Sequence, residues 1–303
     1  MSEPVLLYGV GATKAGTSWF YRMLKDHPEC AVPEVKEAHY WDTFDPAARA
    51  QQVDSFRRQI TALRAAAARE RVAPGRAWRA ANLERYADDL AALVAILEGE
   101  RTGDRLYRDW LMSGAAGKRL VADITPAYGL LPPETLRRMD GVGPRALFVY
   151  LVRDPVARLW SHVRMLAQRQ LAAGGDLARQ AGRIMRRILD RGEPQHVLVR
   201  GDYPAAHARL SGAVAADRLR VEYCERLYTE AGQRDMAQFL GIGYHPADAT
   251  RRVHEGPGIT LPADLAARAA RMLAGHYAWA ARTLGPLPQA WQDNLALASR
   301  HGA

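Results

Sequence analysis

The 303-residue sequence has only two cysteines, Cys30 and Cys224, far apart and without CxxC or metal-ligand spacing. That excludes a disulfide framework and a zinc module, and both thiols are read as reduced, in a reducing compartment. No metal is called for. No stretch approaches the roughly 20 apolar residues that a membrane-spanning helix needs. The N-terminus lacks a charged segment followed by a long apolar one, and its run Val5 to Val10 is strand-length and leads straight into glycines. A soluble, unprocessed, cytoplasmic protein is therefore expected. Lysine is scarce too, with four among the 42 Lys and Arg residues. No basic run is interleaved with aromatics, and zinc-finger and RNA-binding signatures are missing, so nucleic acid is not an expected partner.

What is present is arginine, and a formal net charge of +9. Such a balance suits anionic partners: an acidic lipid, a polyanionic glycan or a phosphate-rich cofactor. Most of the arginines are expected simply to solvate helix faces. At 48% hydrophobic and 25% charged residues the chain is globular, with ample material for a core. Its Ala/Arg-rich composition is consistent with a GC-rich bacterial genome.

Apolar runs mark the strands. VLLYGV (5–10), bounded by Pro4 and Gly11, suits a buried parallel strand, and ALFVYLV (146–152) is central-strand material. TSWFYRMLKDHP reads as a helix ended at His27-Pro28. After the second run, Asp154 can cap a helix with Pro155 at its first position. Residues 46–118 carry helical spacing broken at Pro74-Gly75. KRLVADITPAYGLLPPETL gives a strand, a turn and a helix from about Pro133, and residues 173–200 look helical and basic. RLRVEY (218–223) is a further strand, LYTEAGQRDMAQFLGI a helix, and LPADLAARAARMLAGHYAWAARTLG one long final helix. Strands alternating with helices predict an α/β fold, a P-loop-like, mostly parallel sheet flanked by helices on both faces. A single domain over 1–303 is expected, its helical insertion at about 46–118 shaping part of a binding site.

The chemistry sits at the ends of the two apolar strands. Between the first strand and its helix lies Gly11-Ala12-Thr13-Lys14-Ala15-Gly16-Thr17-Ser18-Trp19. Backbone N–H groups of such a loop, with the helix N-terminus, make an anion nest. A nucleoside-triphosphate loop reads GxxxxGK[ST]. Here Thr17 follows the last glycine and the lysine has moved forward to Lys14. At the second strand end stands Arg153, with Ser161 eight positions on in LVRDPVARLWSH. Arg153 can pair bidentately with a phosphate and Ser161 can add a hydroxyl. The plain alternatives are a surface lysine in an ordinary glycine turn and a local Arg153–Asp154 ion pair beside a helix cap.

The first loop resembles the TKxGTxW loop of the sulfotransferases that use 3′-phosphoadenosine 5′-phosphosulfate (PAPS), and Arg153 with Ser161 resembles that family's 3′-phosphate pair. The resemblance covers most of the chain. ADITPAY (122–128) is similar to E-x-[ST]-P-x-Y, with Asp123 where Glu is commoner, and RGDYPAAHARL (200–210) to G-x-Y-x-x-x-L. The family's late Lys-Gly-Arg loop over the adenosine is not clearly matched. RRVHEGPG (251–258) lies in that position, with Arg252 as a stand-in.

The resemblance implies an in-line sulfuryl transfer from PAPS to a hydroxyl or amine, leaving 3′-phosphoadenosine 5′-phosphate. Positioning and charge stabilisation dominate such a step, as in phosphoryl transfer. Lys14, Ala15, Gly16, Thr17, Ser18, Trp19, Arg153 and Ser161 would hold the donor, and Lys14 would also stabilise the leaving group. Lys36-Glu37-Ala38-His39-Tyr40-Trp41 resembles the KE-x-HFF element of the glycan-modifying members, which implies Glu37 as base. His39 would share its face if the segment is extended, and could bind the acceptor or replace Glu37 as base. Merely structural roles for both, an ion pair for Glu37 and a core site for His39, are the alternative. The acceptor, a small molecule, lipid or glycan, is not readable, nor is the oligomeric state. The rivals are a P-loop nucleotide kinase, which would need a lysine directly after Gly16, and a non-catalytic glycan- or lipid-binding module on the same fold.

Overall fold

A computed structural model describes residues 3–101, 103–172, 174–250 and 258–300, without the side chains of 299 and 300. Arg252 lies outside these residues. The chain runs β1 (Val5–Gly11), α1 (Thr17–Asp26), β2 (Cys30–Ala31), α2 (Pro46–Arg71), α3 (Ala77–Glu98), α4 (Arg105–Met112) and β3 (Leu120–Ile124). A 3-10 turn (Pro126–Leu130) leads to α5 (Pro133–Asp140), β4 (Ala146–Val152), α6 (Pro155–Gln170), α7 (Leu177–Arg191), α8 (Gln195–Val199) and α9 (Tyr203–Ser211). After a second such turn (Ala216–Arg218) come β5 (Leu219–Tyr223), α10 (Cys224–Leu227), α11 (Glu230–Leu240), α12 (Ala263–Met272), α13 (Ala274–Leu284) and α14 (Gln289–Arg300).

The five strands form one parallel sheet in the order β2-β3-β1-β4-β5. Every residue of β3 and β4 is buried, on alternating sides, so helices must cover both faces of the sheet. This is why those segments read as unbroken apolar runs. β1 sits in the middle, its Leu7 beside Ala122 of β3 and Leu147 of β4. The chain leaves β1 toward β2 and β3, then crosses back to lay β4 and β5 on the other side. That reversal opens a crevice beyond the carboxyl ends of β1 and β4.

Among the helices, α2 and α3 make an antiparallel pair that turns near Pro74-Gly75. Leu90, Leu93 and Leu97 of α3 are fully buried, whereas α2 buries only Val53, Phe56 and Ala67. The long final helix expected from about 261 to 285 is instead two helices, broken at Leu273. The physical reason is a change of buried face: α12 buries Leu265, Ala266 and Ala269, and the break lets α13 turn Tyr277 and Trp279 inward. Among the described residues no helix is long and apolar enough to cross a membrane.

Candidate active site

The loop after β1 is tied to β4 by the Ala12 N–H, which donates to the Leu151 carbonyl at 2.7 Å. Gly16 caps α1 in a left-handed conformation (φ 86°) with no side-chain cap. A Cβ there would stand 2.9 Å from Tyr228 Oη and 3.2 Å from Cys224 Cβ, so both backbone and space demand glycine. Thr17 and Trp19 are buried at the start of α1, where Trp19 Nε1 donates to Asp248 O at 3.0 Å and its ring meets Tyr228 edge-on. Ala15 is buried beneath the turn; Ser18, like Lys14, is half-buried.

Lys14 also adopts a left-handed backbone (φ 71°), uncommon for a residue with a Cβ. No carboxylate pairs with it among the described residues. Burial lowers its pKa, and Arg153, Lys36, Arg164 and Arg169 lower it further. The lysine thus stands in a positive field rather than on the open surface.

Arg153 follows the last residue of β4. Tyr203 of α9 clamps its backbone: the tyrosine Oη accepts from the Arg153 N–H at 3.3 Å and donates to its carbonyl at 2.7 Å. The guanidinium has no hydrogen-bond or ion-pair partner among the described residues. Asp154 does not take it. That carboxylate caps α6 through the Ala157 N–H at 2.7 Å and accepts from Tyr277 Oη at 2.7 Å and Asn294 Nδ2 at 2.8 Å. The local Arg153–Asp154 pair is therefore not formed. Ser161 lies half-buried in the second turn of α6.

The segment around Glu37 is not extended. Glu37 (φ 67°) and His39 (φ 52°) are both left-handed. The fold nevertheless brings their side chains together, with His39 Nε2 3.7 Å from Glu37 Oε2, an ion-pair distance. On the other side Lys36 Nζ approaches Glu37 Oε1 at 2.5 Å, and His39 Nδ1 donates to Asp42 Oδ2 at 2.8 Å. Burial alone would raise the Glu37 carboxyl, but His39 and Lys36 outweigh it and hold the pKa at about 2. Burial alone would lower His39, but its bonds to Asp42 and Glu37 raise it to about 9. At neutral pH this is a carboxylate beside an imidazolium. The Glu37 side chain remains 44% exposed, open to a ligand.

Three groups to which sequence reasoning gave no role hold this loop. The Glu37 N–H donates to Ile124 O at the end of β3. Tyr128 Oη accepts from the Tyr40 N–H at 2.9 Å and donates to buried Asp123 at 3.0 Å. Arg101 donates to the carbonyls of Tyr40 (2.7 Å) and Thr43 (2.9 Å). Asp123 and Tyr128 belong to the ADITPAY segment, so their presence was signalled; Asp42, three residues after His39, was readable only as a spacing. Among the described residues no group of three or more His, Cys, Asp or Glu could hold a metal. A cavity of about 400 Å³ beside β5, lined by His207, Arg220, Glu222 and Thr283, includes none of these residues.

The Sulfotransferase family is matched by residues 7–201, a stretch that contains Lys14, Glu37, His39, Arg153 and Ser161. The chain belongs to that family. Its fold is similar to the crystal structure of a sulfotransferase from Alicyclobacillus acidocaldarius, with a TM-score of 0.58 and 22% identity over 96% of this chain and 100% of that one. It is also similar to the sulfotransferase domain from the curacin biosynthetic pathway, with a TM-score of 0.51 and 17% identity over 91% of this chain and 99% of that one. At these identities the likeness is one of fold. No curated protein sequence matches the chain.

Proposed function

We propose that the protein transfers a sulfuryl group from PAPS to an acceptor hydroxyl or amine. The observation that carries this reading is the pair of cations at the carboxyl ends of neighbouring parallel strands, Lys14 after β1 and Arg153 after β4. Both lack an internal counter-charge among the described residues, and Arg153 is close enough to lower the pKa of Lys14. Both are half-buried, and a protein rarely withdraws such groups from water without an anion to meet them. A bisphosphorylated nucleotide fits: the open N-terminus of α1 and Lys14 suit its 5′-phosphosulfate, and Arg153 with Ser161 suits its 3′-phosphate. Thr17 stands where a kinase of this architecture would carry its lysine, which speaks for the sulfuryl donor.

PAPS supplies an activated sulfuryl group. Its bond to the 5′-phosphate breaks as a bond to the acceptor oxygen or nitrogen forms, and the acceptor proton leaves to a base. Lys14 is placed to stabilise charge on the departing phosphate. Glu37, ionised and accessible, is the better candidate base, and protonated His39 cannot accept a proton until it has lost one. Asp42 fixes the imidazolium, which in turn keeps Glu37 charged. The α2–α3 pair and α4, joined to the base loop through Arg101 and its surroundings, are proposed as one wall of the acceptor site. The two buried free thiols support a cytoplasmic setting.

Calorimetric titration tests the nucleotide assignment. 3′-Phosphoadenosine 5′-phosphate is expected to bind about 10- to 100-fold more tightly than AMP, as one to two charge-assisted hydrogen bonds allow. Arg153→Ala is expected to remove most of that difference. Equal affinities in the wild type would overturn the roles given to Arg153 and Ser161.

A further inference from the structure

The base loop carries two residues in a conformation that costs roughly 1–3 kcal/mol each for non-glycine side chains. Something must over-determine it. Behind the loop lies Asp123, only 4% exposed in the wall of β3. Its oxygens accept from Thr125 Oγ1 at 2.6 Å, Tyr107 Oη at 2.6 Å and Tyr128 Oη at 3.0 Å. Burial raises its pKa and the three hydroxyls oppose that rise. Of the three donors, Tyr128 alone passes the interaction on. Its Oη, having given its proton to Asp123, presents lone pairs to the N–H groups of Tyr40 (2.9 Å) and Trp41 (3.5 Å). These are the residues directly after His39. Tyr107 touches the loop differently, stacking on the Tyr40 ring at 4.1 Å without bonding its backbone.

We propose that Asp123 and Tyr128 form a positioning pair, in which the buried carboxylate orients the tyrosine hydroxyl and that hydroxyl fixes the backbone that presents Glu37 to His39. Neither residue touches the reacting atoms. Their effect is on the arrangement of the base, and so on turnover rather than on donor binding. The direction of the bonds explains why an acid is needed there: a carboxylate can only accept, so it commits the tyrosine proton inward and leaves the outward lone pairs for the loop. The inference rests on the proposed transfer for its kinetic half. Its other half, the state of His39, does not.

Tyr128→Phe tests it, with Tyr107→Phe as the comparison. Both substitutions remove one hydroxyl from the same buried carboxylate, and both leave the ring. For Tyr128→Phe the expectation is a kcat about 10- to 100-fold lower, the range for a misplaced catalytic group, with KM for PAPS within about twofold. The His39 imidazole, followed by NMR in both proteins, is expected to titrate well below its position in the wild type, toward its ordinary value of about 6.5. Tyr107→Phe is expected to keep kcat within about threefold and leave the His39 titration in place, since it breaks no bond to the loop. Asp123→Asn keeps the side chain's size and serves if Tyr128→Phe does not fold; it should move both quantities in the same direction by less. An unmoved His39 titration in Tyr128→Phe overturns the proposal, and so do equal effects of the two tyrosine variants. Should wild-type protein transfer no sulfate from PAPS, the proposed reaction fails, but the His39 titrations still decide the positioning role.

Discussion

Two kinds of positive charge meet in this crevice, and they are treated in opposite ways. Lys14 and Arg153, at the strand ends, have no carboxylate partner among the described residues. Lys36 and His39, on the loop after β2, are each paired, to Glu37 and Asp42 respectively. In the proposed function the first pair meets a ligand that brings its own negative charge. The second is spent on internal order, holding one carboxylate ionised and a backbone in an uncommon conformation. On that reading positive charge serves recognition in one region and conformation in the other. What separates them is whether an acid lies nearby.

The largest expected effect breaks the unpaired side. Lys14→Ala is expected to lower kcat by about 100- to 1,000-fold, as loss of one transition-state charge donor does, while the protein stays folded because no internal partner is orphaned. Steady-state assay with PAPS and thermal melting measure both. On the paired side, Glu37→Gln is expected to lower kcat by about 100-fold or more, with 3′-phosphoadenosine 5′-phosphate affinity unchanged by calorimetry. Unchanged turnover would pass the base role to His39.

A smaller effect sharpens the distinction through pH. With Glu37 as base, its pKa of about 2 puts the acid limb far below neutrality, so kcat should be flat from about pH 6 to 8. It should fall as pH rises past about 9, when His39 loses its proton and Glu37 one of its two cationic neighbours. With His39 as base the profile would instead climb toward pH 9. Stability has the same sign as the first case. His39 is raised above its unfolded value of about 6.5, so its contribution is complete below that pH and is lost as pH passes through about 9.

The strand ends were legible in the sequence because their signals are local. An apolar run, a glycine that must take positive φ and a Pro at the first turn of a helix each dictate backbone within a few residues, and Lys14, Arg153 and Ser161 ride on that backbone. The parallel sheet followed from the same runs, and RLRVEY was read as the further strand that became β5, whereas the two-residue β2 was too short to read. Nearness of Glu37 and His39 was expected, but on the grounds of an extended segment, and the reason was wrong. Their approach depends on Ile124 O, Tyr128 and Arg101, which lie 87, 88 and 61 residues along the chain from the loop residues they bond, Glu37 for the first and Tyr40 for the other two. No local pattern encodes contacts of that range. The break at Leu273 was missed for a related reason: helical spacing continues through it, and only the place that Tyr277 must reach, Asp154, explains the turn.

That contact reaches further than the helix it bends. Asp154, next to Arg153, is gripped by Tyr277 and Asn294, and Arg153 itself by Tyr203, all three beyond the stretch that the family match covers. The last third of the chain is thus a scaffold bolted to the guanidinium's own root. A fragment trimmed to residues 7–201 would retain each side chain proposed to hold the nucleotide and lose the struts that aim one of them.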